Sequence, residues 1–80
     1  MTKNKELRRR HRVEIHNLCR NVRRLRKNAE LPLWKAAKLL KIRVFTLFLL
    51  EIGFLPPWLS TETLFCMQEL FGVSVMELFL

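Results

Sequence analysis

Residues 33–53 read LWKAAKLLKIRVFTLFLLEIG, and this stretch decides the fold. Gly53 follows a run of apolar residues, at a position where a helix would end in a left-handed cap. A short interruption at residues 41–43 divides the stretch into two halves. Apolar side chains recur at helical spacing in the first half, at Leu33, Ala36, Ala37 and Leu40. The stretch therefore predicts two short helices joined by a tight turn.

Three further helices are predicted around this pair. The first carries an amphipathic stripe at Ile15, Leu18, Cys19, Val22 and Leu25. Ser60 or Thr61 can cap a fourth helix, and Gly72 is expected to end it. Ser74 with Glu77 forms the capping-box pattern that opens a fifth helix. Trp34 and Trp58 are interpreted as packing residues. We expect an all-helical fold without a sheet, with helices near residues 13–27, 32–40, 44–52, 61–71 and 74–79.

Charge is distributed very unevenly along the 80 residues. All fifteen Lys and Arg side chains lie between Lys3 and Arg43, together with only three acids, so the first part of the chain carries +12. From Val44 onward there are four acids and no base, which gives −4. Such a field favours a polyanionic partner: nucleic acid, an acidic protein surface or an anionic membrane. The alternative is a basic helix that is merely solvated.

Residues 1–12 are predicted to form a basic flexible arm, and residues 13–80 one domain. Six of the residues from Lys3 to Arg12 are basic, and Leu7 is the only apolar one. Nothing in the arm would therefore anchor it to a core, so we expect it to be mobile in the free protein.

Several functional classes lack the residues they need. The sequence has no Ser/His/Asp set, paired carboxylates or glycine-rich phosphate loop, so we expect no enzyme and no cofactor. Cys19 and Cys66 are not in a metal-ligand spacing, and we interpret them as buried, reduced thiols of a cytoplasmic protein without a metal site. No signal peptide is visible, and the most apolar stretch, residues 44–50, is too short to span a membrane.

Residues 18–79 resemble the Cro/repressor-like helix-turn-helix domain, also called the xenobiotic-response-element family. The segment NVRRLR at residues 21–26 is similar to the first helix of that family. Ala37, Ile42, Glu51 and Gly53 fall at the family's spacing for the two-helix reader unit. The resemblance implies a five-helix, lambda-repressor-like domain that binds double-stranded DNA as a transcriptional regulator. Its third helix would dock in the major groove, and its last helix would serve in a symmetric dimer.

Two kinds of DNA contact are expected: basic side chains bind phosphates, and the outward side of the third helix lies against the base pairs. Lys41 stands where the family's turn usually has glycine, so its backbone would be strained if φ is positive. The whole predicted set comprises Arg8, Arg9, Arg10, Arg12, Lys35, Lys38, Lys41, Arg43, Val44, Phe45, Thr46, Phe48 and Leu49.

The third helix also supports a different interpretation, because Thr46 is its only polar residue between Arg43 and Glu51. Leu47 and Leu50 are assigned to the core, which leaves an outward apolar patch of Val44, Phe45, Phe48 and Leu49. Such a patch is typical of a protein contact, with a second copy or a partner regulator. It could also be buried by a rotation of the helix. A membrane-surface role is disfavoured because the core requires the apolar stripe of the first helix.

Overall fold

The computed structural model describes the backbone of residues 2–80 and the side chains of Arg9 and of residues 11–80. Over these residues the chain forms five α-helices and no strand, as the sequence predicted. The helices are α1 (Thr2–Asn28), α2 (Leu33–Leu39), α3 (Val44–Glu51), α4 (Thr61–Phe71) and α5 (Val75–Leu78).

The first helix begins at Thr2, so the predicted start near residue 13 is wrong. Residues 3–12 consist mainly of Lys, Arg, Glu and Leu and contain neither Gly nor Pro. These residue types have high helix propensity, so intrinsic preference alone is sufficient to continue the helix through this segment. The mobility expected for residues 1–12 stays a prediction.

Local signals end most of the other helices as the sequence predicted. The Ser60 hydroxyl accepts a hydrogen bond from the Thr63 N–H and caps α4, while Gly72 ends that helix with φ 69°. Ser74 and Glu77 form the predicted capping box at the start of α5. Gly53 follows α3 with φ 105°. Pro32 is the N-cap of α2, so this helix begins one residue after its predicted start near residue 32.

The core lies where α1, α2 and α3 meet and continues beneath α4 and α5. Its buried apolar members are Leu18, Cys19, Val22, Ala36, Ala37, Leu40, Leu47, Leu50, Met67 and Leu78. Burial raises the pKa of the Cys19 thiol, whereas Cys66 is only partly buried. Trp34 and Trp58 are both exposed and neither belongs to the core, so the interpretation of Trp34 as a packing residue is wrong, whereas Trp58 contacts α3 through its indole N–H. The buried face of α2 is filled by the small alanines, and Trp34 lies off that face.

Two polar connections hold distant parts of the chain together. Asn21, which is buried, donates from Nδ2 to the Leu78 carbonyl over 2.8 Å and attaches α5 to α1. Arg26 donates to Glu51 through Nε (2.6 Å) and Nη2 (2.9 Å), and through Nη1 to the Leu31 carbonyl. The hydrogen bonds that the Glu51 carboxylate accepts from the guanidinium raise the pKa of Arg26. This bidentate pair fixes the end of α3 against α1.

Among the described residues, none of the five helices combines the length and the apolar character that a membrane crossing requires.

Candidate nucleic-acid interface

The turn between α2 and α3 is tight and strained at one residue. Lys41 has φ 59°, as expected for a residue in a position that favours glycine. Its N–H donates to the Lys38 carbonyl, and the N–H of Ile42 donates to the Ala37 carbonyl over 3.0 Å. Because Lys41 carries a Cβ, this left-handed conformation costs about 1–2 kcal/mol. Ile42, within the turn, is partly buried against the core.

Four predicted phosphate-binding bases lie on the surface around this turn. Lys35 and Lys38 project from α2, Lys41 lies in the turn, and Arg43 is the N-cap of α3. All four are exposed, and none forms an ion pair with another described side chain. Their charges are therefore available to an anionic partner.

The predicted contacts of the basic arm are described only in part. Arg9 and Arg12 are exposed on α1. The side chains of Arg8 and Arg10 lie outside the described part of the chain.

The outward surface of α3 is apolar, as the sequence predicted. Phe45 is 63% exposed and Phe48 is 45% exposed, with their ring centroids 6.5 Å apart. Val44 is exposed and Leu49 is partly exposed beside them. Leu47 and Leu50 are fully buried on the opposite side. The interpretation in which a rotated α3 buries its extra aromatic residues is therefore wrong.

Thr46 does not belong to this surface, although it was predicted to contact DNA. The residue is only 4% exposed, and its Oγ1 accepts a hydrogen bond of 3.0 Å from the indole N–H of Trp58. The segment between α3 and α4 brings Trp58 over this side of the helix, so the hydroxyl cannot reach a base edge. Without Thr46, the outward surface of α3 offers no side chain capable of the bidentate hydrogen bonds that distinguish base pairs.

An open groove of about 800 Å³ begins beside these bases, between the N-terminal ends of α3 and α4. Lys41 and Arg43 line one side, and Phe45, Trp58 and Ser60 lie nearby. The groove combines positive charge with aromatic surface, which suits an anionic group attached to an apolar or planar body.

A second basic groove, on α1, was absent from the predicted set. Arg20, Arg23, Arg24 and Lys27 line it together with Ile52 and Gly53 at the end of α3. The ion pair of Arg26 with Glu51 was missed as well. A signal for it exists in the sequence, because Arg26 follows Val22 of the apolar stripe by four residues, and an acidic partner stabilises a basic side chain that lies partly within such a stripe.

Comparisons of the chain with protein-family models, with curated proteins and with solved structures found no match. The resemblance to the Cro/repressor-like domain therefore stays an expectation, and the function has to be argued from the surfaces described above.

Proposed function

We propose that this chain binds double-stranded DNA as a transcriptional regulator with the helix-turn-helix arrangement of the Cro/repressor-like domains it resembles. In this proposal α3 lies in the major groove, and the basic side chains around it contact phosphates. The observation that carries the proposal is a group of exposed basic side chains around the α2–α3 turn that form no ion pair with another described side chain: Lys35, Lys38, Lys41 and Arg43.

The position of two of these bases supports a phosphate ligand. Lys41 and Arg43 lie at the N-terminus of α3, where the helix dipole disfavours a cation by about 0.3–1 kcal/mol. A phosphate bound there would interact favourably with both side chains and with the positive end of the helix.

The apolar outward surface of α3 predicts weak sequence preference. Phe45 and Phe48 can contact thymine methyl groups, but they cannot form the hydrogen bonds that identify guanine or adenine. Most of the affinity would come from phosphate contacts, which are insensitive to sequence.

The test is a fluorescence titration of labelled mixed-sequence duplex at several salt concentrations. We expect binding that weakens steeply with salt, since each neutralised phosphate adds about 0.9 to the log–log slope. In the variant Lys38→Gln/Lys41→Gln this slope should fall by about 1.8. The matched control is Arg23→Gln/Lys27→Gln, which removes the same charge from exposed positions on α1 and should leave the slope nearly unchanged.

Two results would overturn the proposal. One is the absence of duplex binding at low salt. The other is an equal decrease in slope for both double variants, because net charge rather than the α2–α3 turn would then govern the binding.

A second candidate function is a protein-interaction module that keeps this fold. The exposure of Phe45 and Phe48 favours it, since aromatic residues on a surface are typical anchors of protein contacts. If it is correct, Phe45→Ala/Phe48→Ala should abolish a dimer or a partner complex and leave salt-sensitive duplex binding intact. If α3 lies in the major groove instead, the same variant should weaken binding to the preferred duplex.

A further inference from the structure

The outward surface of α3 continues beyond the two phenylalanines. Phe45, Phe48, Leu49 and Ile52 follow one another at i, i+3, i+4 and i+7, so they form one stripe, which we name the α3 apolar face. Ile52 is 63% exposed at its far end. The core already occupies the opposite side of the helix, so no rotation of α3 could bury both sides. An exposed stripe of this length indicates a contact with another molecule.

Positive charge flanks the α3 apolar face at both ends. Lys41 and Arg43 precede it, and the basic groove on α1 adjoins Ile52 at its other end. The acid of this region, Glu51, is engaged by Arg26, and its side chain is only 6% exposed. If two α3 apolar faces packed against each other, the basic side chains of one molecule would lie close to those of the other, and their repulsion would oppose association. The complementary surface has to be apolar at its centre and acidic at its ends.

The chain carries such a surface on α4. Glu62, Phe65 and Glu69 are spaced at i, i+3 and i+7, and all three are exposed. Phe65 is 54% exposed between the two carboxylates. Neither acid forms an ion pair with another described side chain, and no Lys or Arg occurs after residue 43. We name this surface the α4 acidic face.

We infer that the α3 apolar face of one molecule docks onto the α4 acidic face of a second copy. Each face spans eight residues, about 10 Å along its helix, so the two match in length. Phe65 then packs among Phe45, Phe48 and Ile52, while Glu62 and Glu69 lie near the bases at the two ends. The contact uses two different surfaces, so each added molecule leaves one face of each kind free. Association therefore continues beyond a dimer, and it requires no DNA.

Two complementary variants test this contact by sedimentation velocity at low salt without DNA. Phe45→Ala/Phe48→Ala removes the aromatic anchors of the α3 apolar face, and Glu62→Lys/Glu69→Lys reverses the charge of the α4 acidic face. We expect the wild-type mass to rise with concentration beyond that of a dimer and to fall when salt is added. Each variant alone should remain monomeric, with self-association weakened by about tenfold or more. An equimolar mixture should form a dimer and nothing larger, since each variant retains the face that the other has lost.

Several outcomes would overturn the inference. These are a wild type that stays monomeric at every concentration, a mixture that stays monomeric, and association that strengthens with salt. Persistent association of the charge-reversed variant would also exclude the α4 acidic face. Circular dichroism verifies that both variants are folded, and Phe65→Ala, a single exposed substitution, provides an independent test of α4. Self-association and duplex binding use the same surface of α3, so the two exclude each other at that surface. Because the duplex titration is a separate measurement, either proposal can fail without the other.

Discussion

The two sides of α3 are almost equally apolar in sequence but have opposite roles in the molecule. Leu47 and Leu50 are fully buried between α1 and α2, whereas Phe45 and Phe48 face solvent. The buried side fixes the orientation of the helix through packing, and the outward side contributes nothing to the core. Hydrophobicity alone therefore does not define the core of a small domain. A side chain stabilises the fold only where neighbouring elements can cover it.

The comparison is tested most strongly by truncating one residue on each side. Leu47→Ala should lower the free energy of unfolding by about 2–5 kcal/mol, because it leaves a cavity in the core. Phe45→Ala should change it by only about 0.5 kcal/mol, because the side chain is exposed. Urea denaturation followed by circular dichroism measures both values. Similar losses for the two variants would mean that the two sides do not differ in this way.

A substitution at Glu51 tests whether its ion pair with Arg26 holds the C-terminal end of α3 against α1. Glu51→Gln should lower the free energy of unfolding by about 3 kcal/mol, since Arg26 then lacks its charged partner in a largely buried setting. Replacing both residues by apolar ones of similar size should recover most of this loss. Glu69→Gln, at an exposed acid, is the control and should have little effect in the same urea experiment. A comparable loss in that control would count against the pair.

Thr46 marks the boundary between the two sides, and its hydroxyl bonds to Trp58. Thr46→Val should cost about 1 kcal/mol, because it removes the oxygen that accepts the hydrogen bond from the Trp58 indole N–H. Trp58→Phe removes the same bond from the other partner. A double-mutant cycle isolates this interaction, and independent, additive effects would show that the hydrogen bond does not stabilise the helix.

The smallest change in the free energy of unfolding is expected at Lys41, which lies in the turn before α3. Lys41→Gly removes a left-handed strain of about 1–2 kcal/mol, but the freedom of glycine in the unfolded chain offsets about 0.5–1 kcal/mol of it. We expect a net gain of about 0.5 kcal/mol in thermal or urea unfolding. Lys41→Ala removes the charge and keeps the strain, so it should give no gain. If alanine stabilises as much as glycine, charge repulsion rather than backbone strain is responsible.

Helix ends were predictable wherever the responsible atoms are close in sequence. Ser60, Gly72 and Ser74 act within one turn of their own position, so a local pattern is sufficient. The start of α1 was predicted wrongly because the prediction relied on an apolar stripe, whereas intrinsic helix propensity alone is sufficient to begin the helix at Thr2. In the candidate interface, the exposure of Phe45 and Phe48 followed from the family resemblance and not from periodicity, since residues 44–50 are apolar on nearly every side.

The strain at Lys41 was expected through the family resemblance. By itself, the sequence determined the number of helices and the separation of a basic first part from an acidic second part. These properties depend on residue type and on neighbours within one or two turns. Only the tertiary structure decided that Glu51 pairs with Arg26, that Trp58 covers Thr46 and that the basic groove on α1 adjoins Ile52. The paired residues are 25 and 12 positions apart, and no local rule fixes such partners. They meet because burial of the leucines and alanines of the core positions α1, α2 and α3 relative to one another.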